Sequence, residues 1–286
     1  MALKIWLNGK LVDEADAKVS VFDHGLLYGD GVFEGIRVYS GKLFELEAHI
    51  ARLYESAKVI RLDILMSKKE IIRAIEETVA ANGVIDGYIR LVVTRGVGDL
   101  GLNPLVCENS TVFIIADSIQ LYPEELYEKG MKVISATTVR SHPLSVPPQV
   151  KSLNYLNNIL AKIEALDSNV PEAIMYNHEG YVAEATGDNV FIVKNGVIST
   201  PPVEAGALGG ITRGVVIKLA GRENIKVVEK ILTRFDLYVC DELFLTGTAA
   251  EVIGVVEIDG RVIGSGEPGL VTKLLRKEFF KYAHGK

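Results

Sequence analysis

The sequence of 286 residues is poor in cysteine: Cys107 and Cys240 are its only two, and they stand far apart with no metal-type spacing. It contains no apolar run of the roughly 18 residues that a membrane-spanning helix requires. Its first ten residues are interrupted by polar side chains too early to form the apolar core of a signal peptide. These absences exclude a disulfide framework, and they predict a cytoplasmic protein without a metal site or a membrane partner.

The charge balance argues against a nucleic-acid-binding surface. The chain carries 31 Lys and Arg against 37 Asp and Glu, which gives a net charge of −6, whereas a nucleic-acid-binding face requires a basic stripe. Apolar residues make up 48% and charged residues 24% of the sequence, which are the proportions of an ordinary globular protein. A chain of this length can bury one large core or two modest ones.

Strand and helix patterns alternate along the whole chain without repeats. The Asn8-Gly9 pair between two short apolar runs is a strong hairpin signal, and periodic apolar residues predict helices at 47–60 and 68–82. A second group of strands begins at Met131, after a polar stretch. We therefore predict a mixed α and β fold in three parts: a small N-terminal domain (1–116), an interdomain linker or lid (117–130) and a large domain (131–286).

Two glycine-rich segments of the first half are predicted to be loops. The segment 96–101 (GVGDLG) has the formal spacing of a dinucleotide-binding loop. However, the proline at 104 stops the helix whose N-terminus would have to meet a pyrophosphate. We therefore interpret this segment as a connection between two strands. The segment 24–31 (HGLLYGDG) is interpreted as a loop that leads into a strand at 32–39.

Lys151 stands at the junction between a stiff loop and a predicted helix. The preceding segment 141–150 is rich in proline and polar residues, which excludes helix or sheet interior, and 159–166 has the apolar spacing of an amphipathic helix. An amine held in such a place and partly desolvated can act as a nucleophile and form Schiff bases. Most lysines are solvated surface residues, so this interpretation depends on the motifs around Lys151.

Three further features of the second half are each weak signals alone. The segment 209–213 (GGITR) opens a predicted helix, whose free amides favour a phosphate. The small-residue loop 246–251 (TGTAAE) offers a hydroxyl and backbone amides to an anion. Glu184, in the segment 182–190 (VAEATGDNV), is either a surface carboxylate or the partner of a protonated ring nitrogen.

In their order along the chain, these motifs resemble those of the fold-type IV pyridoxal-phosphate aminotransferases, most closely the branched-chain amino acid aminotransferases. The segments 28–37 (YGDGVFEGIR) and 49–53 (HIARL) match motifs of the same family, so the resemblance covers essentially the whole chain. It implies the two-domain architecture of the D-amino-acid aminotransferase type, with a smaller N-terminal α/β domain and a larger C-terminal domain that contains a pseudo-barrel sheet. It also implies pyridoxal 5′-phosphate as the cofactor.

The resemblance assigns cofactor roles to particular residues. Lys151 would bind the cofactor covalently and move a proton during catalysis. Glu184 would keep the ring nitrogen protonated, and Tyr155 would hydrogen-bond the phenolic oxygen. Arg52 suits the phosphate because a planar guanidinium can form two parallel bonds, and Leu208 would pack on the ring. The remaining cofactor contacts implied by the resemblance lie in the glycine-rich segments: Gly187, Asn189, Gly210, Ile211, Thr212, Gly247 and Thr248.

A second set of residues matches the substrate site of the branched-chain enzymes, which act on leucine, isoleucine and valine with 2-oxoglutarate as the second substrate. Tyr28, Phe33, Gly35 and Tyr88 match the apolar lining of that site. The backbone amides of the segment Gly247-Thr248-Ala249, together with Tyr88, would receive the α-carboxylate.

The same resemblance places charge and a second subunit at the substrate site. Arg90 matches an arginine used for the acidic co-substrate, and Arg37 matches a neighbouring arginine of the same wall. Tyr28 and Leu102 would reach in from a second subunit, so the implied working unit is at least a homodimer.

Three alternatives remain open at the level of sequence. Arg95 and the wording of the lysine segment 151–154 (KSLN) also resemble the D-amino acid aminotransferases, which use an arginine near this place as a carboxylate trap. The segments 33–37 (FEGIR) and 88–90 (YIR) favour the branched-chain enzymes. The aminodeoxychorismate lyases share the fold and the cofactor. A cofactor-free binding protein on the same scaffold would be expected to lack the lysine or the acid, and both are present.

Overall fold

The computed structural model describes residues 2–118 and 122–285, which divide into two compact units, as the sequence predicts. The units are, first, the described part of Met1–Ile119 together with Val150–Asn154 and, second, the described part of Gln120–Gln149 together with Tyr155–Lys286. We call them unit 1 and unit 2.

The stretch from 117 to 130, predicted to be a linker or lid, stays a prediction because residues 119–121 lie outside the described residues. Within it, Glu124–Lys129 forms a short helix that belongs to unit 2. The segment around Lys151 belongs to unit 1, although the chain before and after it belongs to unit 2.

Unit 1 is built on a six-stranded sheet whose neighbouring strands are all antiparallel. Its strands in chain order are β1 (Lys4–Leu7), β2 (Lys10–Asp13), β3 (Gly31–Tyr39), β4 (Lys42–Leu43), β5 (Gly87–Thr94) and β6 (Thr111–Asp117). Across the sheet the order is β2-β1-β6-β5-β3-β4. The predicted hairpin turn at Asn8 and Gly9 joins β1 to β2, and both residues have the positive φ that a two-residue turn between twisted strands requires.

Three helices accompany this sheet: α1 (His24–Tyr28), α2 (Leu46–Val59) and α3 (Lys68–Asn82). The sequence predicts α2 and α3 to within one residue. Helix α2 packs against β3, and α3 packs against β1 and β6. Ser67 and Glu70 form a capping box at the start of α3, and Gly83 ends the helix with a φ of 61°. The core of unit 1 forms where the apolar helix residues, such as Leu53 and Ile75, meet β3 and β5.

The prediction of a loop over 24–31 is wrong for its first part, because His24–Tyr28 is helix α1. The Asp23 side chain accepts a hydrogen bond from the Gly25 amide and so caps the N-terminus of the helix. Gly29 ends it with a φ of 69°. An Asp before a short run and a Gly after it are helix-boundary signals, but five residues are too few to show a helical period.

Unit 2 contains a nine-stranded mixed sheet. Its strands in chain order are β7 (Met131–Ser135), β8 (Glu172–Tyr176), β9 (Val182–Ala185), β10 (Asn189–Lys194), β11 (Val197–Thr200), β12 (Val227–Glu229), β13 (Glu242–Gly247), β14 (Glu251–Ile258) and β15 (Arg261–Val262). The order across the sheet is β12-β11-β10-β13-β14-β7-β8-β9, and β15 pairs with β14. The pairs β11–β12, β14–β7 and β7–β8 are parallel, and the others are antiparallel.

The helices of unit 2 are α4 (Glu124–Lys129), α5 (Leu156–Asp167), α6 (Ile211–Arg222), α7 (Arg234–Tyr238) and α8 (Leu270–His284). Helix α5 confirms the prediction of a helix after Lys151, but it buries small and polar residues, namely Asn158, Ala161 and Ala165. Its large apolar side chains are between 45% and 68% exposed. We call this set the α5 apolar stripe: Leu156, Ile159, Leu160, Ile163 and Leu166.

The glycine-rich segment 96–101 connects β5 to β6 and opens no helix, which confirms that it is not a dinucleotide-binding loop. None of the helices in the described part of the chain is both long and apolar enough to cross a membrane. Across residues 2–118 and 122–285, His, Cys, Asp and Glu side chains form no group of three that could hold a metal ion. Cys107 and Cys240 are free thiols.

A charged cluster lies inside unit 1, between β3 and α2. Glu34 is fully buried and accepts two bonds of 2.8 Å from Arg52, one from Nε to Oε1 and one from Nη2 to Oε2. Nδ1 of the buried His49 lies 2.7 Å from Glu34 Oε2. Because an ionised carboxylate only accepts hydrogen bonds, His49 is the donor in this contact.

The cluster ties the stability of unit 1 to pH. Burial by itself raises the pKa of Glu34, but the hydrogen bonds from Arg52 and His49 and the charge of Arg52 outweigh it and lower the pKa from 4.5 to about 2. Burial lowers the pKa of His49 despite its bond to Glu34. For both groups the unfolded chain binds protons more readily than the folded chain. Their stabilising contributions are therefore present near neutral pH and decrease as the pH falls.

We predict that Glu34→Gln lowers the unfolding free energy by on the order of 3 kcal/mol at neutral pH, because it leaves the Arg52 guanidinium without its buried counter-charge. This penalty should shrink as the pH falls from about 5 towards 2, since the wild-type carboxylate is then protonated. Urea unfolding at intervals between pH 7 and pH 3.5 measures the difference between variant and wild type.

The control for this experiment is Glu77→Gln on the exposed side of α3, which should change the unfolding free energy by less than about 0.5 kcal/mol. A Glu34→Gln penalty of the same size at every pH would contradict the role assigned to the buried carboxylate.

Candidate active site

Lys151 lies in an extended segment that pairs with β3, and the two form an antiparallel bridge. The Phe33 amide donates to the Lys151 carbonyl (3.0 Å), and the Leu153 amide donates to the Gly31 carbonyl (2.9 Å). The Lys151 amide donates to Ser56 Oγ of α2 at 3.1 Å. Backbone pairing with unit 1, rather than the stiffness of the preceding loop alone, therefore positions this lysine.

The pairing places the Lys151 amine beside an aromatic ring. Residues directly opposite each other in an antiparallel pair project to the same side, and Lys151 Nζ lies 4.4 Å from the centroid of the Phe33 ring. An ammonium group at this distance is attracted to the ring face. The side chain is half-buried, which gives the partly desolvated amine that the sequence analysis expects.

Five of the predicted substrate residues share one face of the sheet in unit 1. Phe33, Gly35 and Arg37 alternate along β3, and Tyr88 and Arg90 stand opposite them on β5, where Gly35 pairs with Arg90 and Arg37 with Tyr88. A Cβ atom on Gly35 would lie 1.8 Å from the Tyr88 hydroxyl oxygen. Only glycine at position 35 leaves room for the Tyr88 ring.

Two arginines of this face lie against aromatic rings. The Arg90 guanidinium carbon is 4.6 Å from the Phe33 ring centroid and 5.4 Å from the Tyr88 ring centroid. The Arg37 guanidinium carbon is 4.9 Å from the Tyr39 ring centroid. The face is therefore apolar with embedded positive charge, which suits ligands that carry either an apolar side chain or a second carboxylate.

Arg95 is fully engaged within the fold of unit 1. Its Nε and Nη2 each donate to Asp30 at 2.9 Å, Nη1 donates to the Arg61 carbonyl (2.6 Å), and Nη2 also donates to the Ile60 carbonyl (2.8 Å). The residue is 8% exposed. An arginine that uses its guanidinium in this way joins Asp30 to the end of α2, and it is a poor candidate for a carboxylate trap.

Tyr28 and the loop that carries Leu102 are in contact. The Tyr28 hydroxyl donates to the Leu100 carbonyl at 2.5 Å, and the neighbouring His24 Nε2 lies 2.8 Å from the Asp99 carbonyl. Leu102 is 81% exposed. Both residues that the resemblance assigns to a second subunit therefore lie in one exposed part of unit 1.

Arg52 is the predicted phosphate ligand of unit 1. It projects from α2 and is joined to Glu34 by the two parallel bonds described above. A guanidinium held at both its Nε and its Nη2 cannot rotate freely, so the buried carboxylate fixes the plane of the Arg52 fork.

Unit 2 holds the predicted ring partner, Glu184, which is buried on β9. Its Oε1 accepts from Nη2 of Arg140 at 2.8 Å, and its Oε2 accepts from the Leu208 amide at 2.9 Å. Asn189 Nδ2 lies 3.5 Å from Oε2. The acid is therefore a buried, hydrogen-bonded carboxylate, and the alternative of an exposed surface acid is wrong.

Asn189 connects several predicted cofactor residues of unit 2. Its Nδ2 donates to the Leu208 carbonyl at 2.9 Å, beside the contact with Glu184. A Cβ atom on Gly210 would lie 2.0 Å from Asn189 Oδ1, so the side chain amide occupies the space that only glycine leaves open at 210. The start of α6 is thereby fixed relative to Glu184.

The β13–β14 turn packs close to the loop between β9 and β10. A Cβ atom on Gly247 would lie 1.9 Å from Asp188 Oδ1 and 3.4 Å from the Gly187 carbonyl oxygen. Thr248 and Ala249 follow in the half-buried turn. Three of the predicted cofactor positions, at 187, 247 and 248, are therefore neighbours or nearly so. Tyr155, the last predicted cofactor residue, is half-buried at the N-cap of α5.

The start of α6 has the chemistry that a phosphate requires. Gly210 is its N-cap and supplies no side-chain cap, so the first helix amides, including those of Ile211 and Thr212, have no intrahelical partner. Thr212 is 2% exposed, and its Oγ1 has no hydrogen-bond partner within the described residues; the same is true of the buried Thr246 hydroxyl. Buried polar groups are normally satisfied, so these donors fit a bound phosphate.

Four residues of these clusters escaped the sequence analysis: Glu34, His49, Arg140 and Asn158. Glu34 carries a usable signal, because an acid within an otherwise apolar strand must find a buried partner. Arg140 and Asn158 carry none, since the residues that they contact lie far away in sequence and become neighbours only through the order of the sheet strands.

Known proteins resemble this chain over nearly its whole length. The family described as amino-transferase class IV matches residues 31–258. A Methanocaldococcus jannaschii protein with a branched-chain-amino-acid aminotransferase assignment is 58% identical over 278 residues, which cover 97% of this chain and 95% of the relative. The crystal structure of the Escherichia coli branched-chain amino acid aminotransferase is 38% identical, has a TM-score of 0.97 and covers 100% of this chain and 96% of that one.

A further solved structure, from the source abbreviated T.th., is a branched-chain amino acid aminotransferase with pyridoxamine 5′-phosphate. It is 40% identical, with a TM-score of 0.96, and the match covers 100% of this chain and 95% of that one. These likenesses confirm the two-domain fold-type IV architecture that the motifs imply. The chain belongs to the class IV aminotransferases.

Proposed function

We propose that this protein is a branched-chain amino acid aminotransferase that depends on pyridoxal 5′-phosphate. It transfers the amino group of L-leucine, L-isoleucine or L-valine to 2-oxoglutarate and yields branched 2-oxo acids and L-glutamate. The observation that carries the proposal is the position of Lys151, whose amine is held by pairing with β3 beside Phe33. The relatives named above, which match nearly the whole chain, support the choice of substrates.

The residues present suit the cofactor. When bound, pyridoxal phosphate supplies an aldehyde that amines can attack and a protonated ring that withdraws electrons from the substrate Cα. Lys151 Nζ holds the cofactor, is released by the substrate amine and then moves a proton between the substrate Cα and C4′ of the cofactor. Glu184 accepts a hydrogen bond from the ring nitrogen, Tyr155 donates to the phenolic oxygen and Leu208 packs on the ring.

The phosphate group requires several donors with fixed directions. Arg52 provides a guanidinium fork whose plane is set by Glu34, and α6 provides the amides of Ile211 and Thr212 at its N-terminus. The Thr212 hydroxyl is a further donor. Gly187, Asn189, Gly210, Gly247 and Thr248 shape the same anion site through the close contacts described above. Because the donors are shared among segments, loss of any one should weaken cofactor binding more than it abolishes the reaction.

The substrate side chain requires an apolar surface of limited size. Phe33 and Tyr88 supply aromatic area on one face of the unit 1 sheet, and Gly35 lets the Tyr88 ring approach the strand. The amides of the segment Gly247-Thr248-Ala249 receive the α-carboxylate, in line with the anion-binding character of a small-residue turn. Tyr28 belongs to the same apolar lining.

The acidic co-substrate requires a cation on that same surface. Arg90 is placed between the Phe33 and Tyr88 rings, and Arg37 is the next charge along β3. A guanidinium lying on rings is held in a low-dielectric setting, in which its attraction for the distal carboxylate of 2-oxoglutarate or glutamate is strengthened. One surface can thus accept both an apolar and an acidic side chain.

A homodimer is the proposed working unit, with Tyr28 and Leu102 reaching the site of the neighbouring subunit. Leu102 is 81% exposed, and the five side chains of the α5 apolar stripe are also exposed. Contiguous apolar surface of this kind is typical of subunit interfaces. We also propose a cytoplasmic location, in which the two free thiols would stay reduced.

We predict that Lys151→Ala lowers kcat by about 10²–10⁴-fold or more, because the variant lacks the group that moves the proton. The variant should still bind pyridoxal phosphate, without a covalent bond. Stopped-flow and steady-state assays with L-leucine and 2-oxoglutarate measure the loss, and Lys69→Ala on the exposed surface of α3 is the control. Turnover near the wild-type rate in Lys151→Ala would mean that another lysine carries the chemistry.

We predict that Arg90→Met raises the KM for 2-oxoglutarate by about 10–100-fold, the loss expected for one hydrogen-bonded ion pair. The KM for L-leucine should change far less, because its side chain makes no use of the charge. Arg73→Met, exposed on α3, is the matched control and should leave both constants unchanged. Equal increases for the two substrates would indicate a general distortion of the surface instead of a contact with the acid.

We predict that the wild-type enzyme turns over L-leucine, L-isoleucine and L-valine and shows negligible turnover of D-alanine. The physical reason is that the Arg95 guanidinium is bonded to Asp30 and to two carbonyls and cannot serve as the carboxylate trap of a D-amino acid enzyme. A panel of these four amino acids with 2-oxoglutarate makes the comparison. Strong D-alanine turnover without L-leucine turnover would overturn the proposed substrate class.

A further inference from the structure

Arg140 lies directly behind the predicted ring partner. The residue follows β7, is 8% exposed and directs its Nη2 to Glu184 Oε1 at 2.8 Å. Its other nitrogens also have partners within unit 2: Nη1 donates to Asn158 Oδ1 at 2.9 Å and lies 3.3 Å from Asn157 Oδ1, and Nε donates to the Gly206 carbonyl at 3.3 Å. The guanidinium is therefore bonded on all three nitrogens.

The two asparagines that hold Arg140 are fixed by the backbone. Asn158 Nδ2 donates to the Thr186 carbonyl at 2.8 Å, and Asn157 Nδ2 donates to the Val139 carbonyl at 2.8 Å. With their amide nitrogens used in this way, both side chains turn their oxygens towards Arg140. The direction of the guanidinium is thus determined by α5 and the adjoining strand connections, independently of Glu184.

Three groups that contact Glu184 in this cluster are all hydrogen-bond donors. Arg140 Nη2, the Leu208 amide and Asn189 Nδ2 present N–H groups to the carboxyl oxygens. A protonated Glu184 would turn an O–H towards a donor that cannot accept it, whereas the carboxylate satisfies all three donors. The guanidinium adds a permanent positive charge, which stabilises the carboxylate further.

We propose that Arg140 is a positioning residue for the transamination reaction, acting through Glu184. By holding the carboxylate ionised and fixing its direction, it keeps the shared proton on the ring nitrogen of the cofactor and not on the acid. The proposal rests on the proposed function, since it requires that Glu184 face the ring. In a hydrogen bond between a pyridinium and a carboxylate, the proton stays with the nitrogen when the carboxylate is a weak base, and a guanidinium at 2.8 Å weakens it as a base.

The test is a double-mutant cycle between Arg140→Met and Glu184→Gln, with equilibrium binding of pyridoxamine 5′-phosphate as the readout. Quenching of Trp6 fluorescence or absorbance titration gives the Kd of each of the four proteins. Arg140→Met should raise the Kd by about 10-fold or more in the wild-type background and by less than about 3-fold in the Glu184→Gln background. An increase of equal size in both backgrounds would overturn the proposal, because Arg140 would then act independently of Glu184.

Arg140→Lys keeps the charge without the fork and serves where the methionine variant fails to fold. Its loss of affinity should be smaller than that of Arg140→Met, and it too should disappear in the Glu184→Gln background. The pH at which the absorption of the bound cofactor changes should shift in Arg140→Met and stay near the wild-type value in Arg140→Lys. A lysine variant whose loss is unaffected by Glu184→Gln would overturn the proposal.

The wild-type protein separates the two levels of the proposal. If it fails to bind pyridoxamine phosphate and fails to turn over L-leucine, the proposed function is wrong whatever Arg140 does. If it binds and reacts but the cycle shows no coupling, the function stands and the role of Arg140 is wrong.

Discussion

The antiparallel pairing of Val150–Asn154 with β3 is the constraint on which the chemistry of this protein depends. Two backbone hydrogen bonds, from Phe33 to Lys151 and from Leu153 to Gly31, set its register. A slip of one residue would turn the lysine side chain to the opposite side of the pair and would end the contact of its amine with the Phe33 ring. The reactive amine is thus placed by the most rigid part of unit 1, while the chain on either side of it belongs to unit 2.

Buried ion pairs then orient the groups proposed to meet the cofactor, and each unit contains one. In unit 1, Glu34 fixes the fork of Arg52; in unit 2, Arg140 stands behind Glu184. In both pairs one ion is held by further hydrogen bonds within its unit. Buried ion pairs contribute little net stability, since desolvation offsets their attraction. Their value here lies in direction: they hold charged side chains in one geometry before any ligand arrives.

Much of this structure follows from local sequence signals. The hairpin at Asn8-Gly9 and helices α2 and α3 were readable because turn residues and apolar periods report on themselves. The motif order identified the family and so named Lys151 and Glu184, whose roles remain proposals. Helix α1 was missed because five residues show no period, although Asp23 and Gly29 mark its ends. Arg140 could not be found, because its contact with Glu184 arises from the strand order β7-β8-β9, which no local pattern reports.

The measurement that tests the account most directly is the location of the covalent cofactor bond. The protein loaded with pyridoxal phosphate is reduced with sodium borohydride, digested and analysed by mass spectrometry, which reports the lysine that carries the reduced adduct. The account predicts stoichiometric labelling of Lys151 and only trace labelling of other lysines. Adduct on a different lysine, or a protein that takes up no cofactor, would contradict the central claim that the pairing with β3 positions the reactive amine.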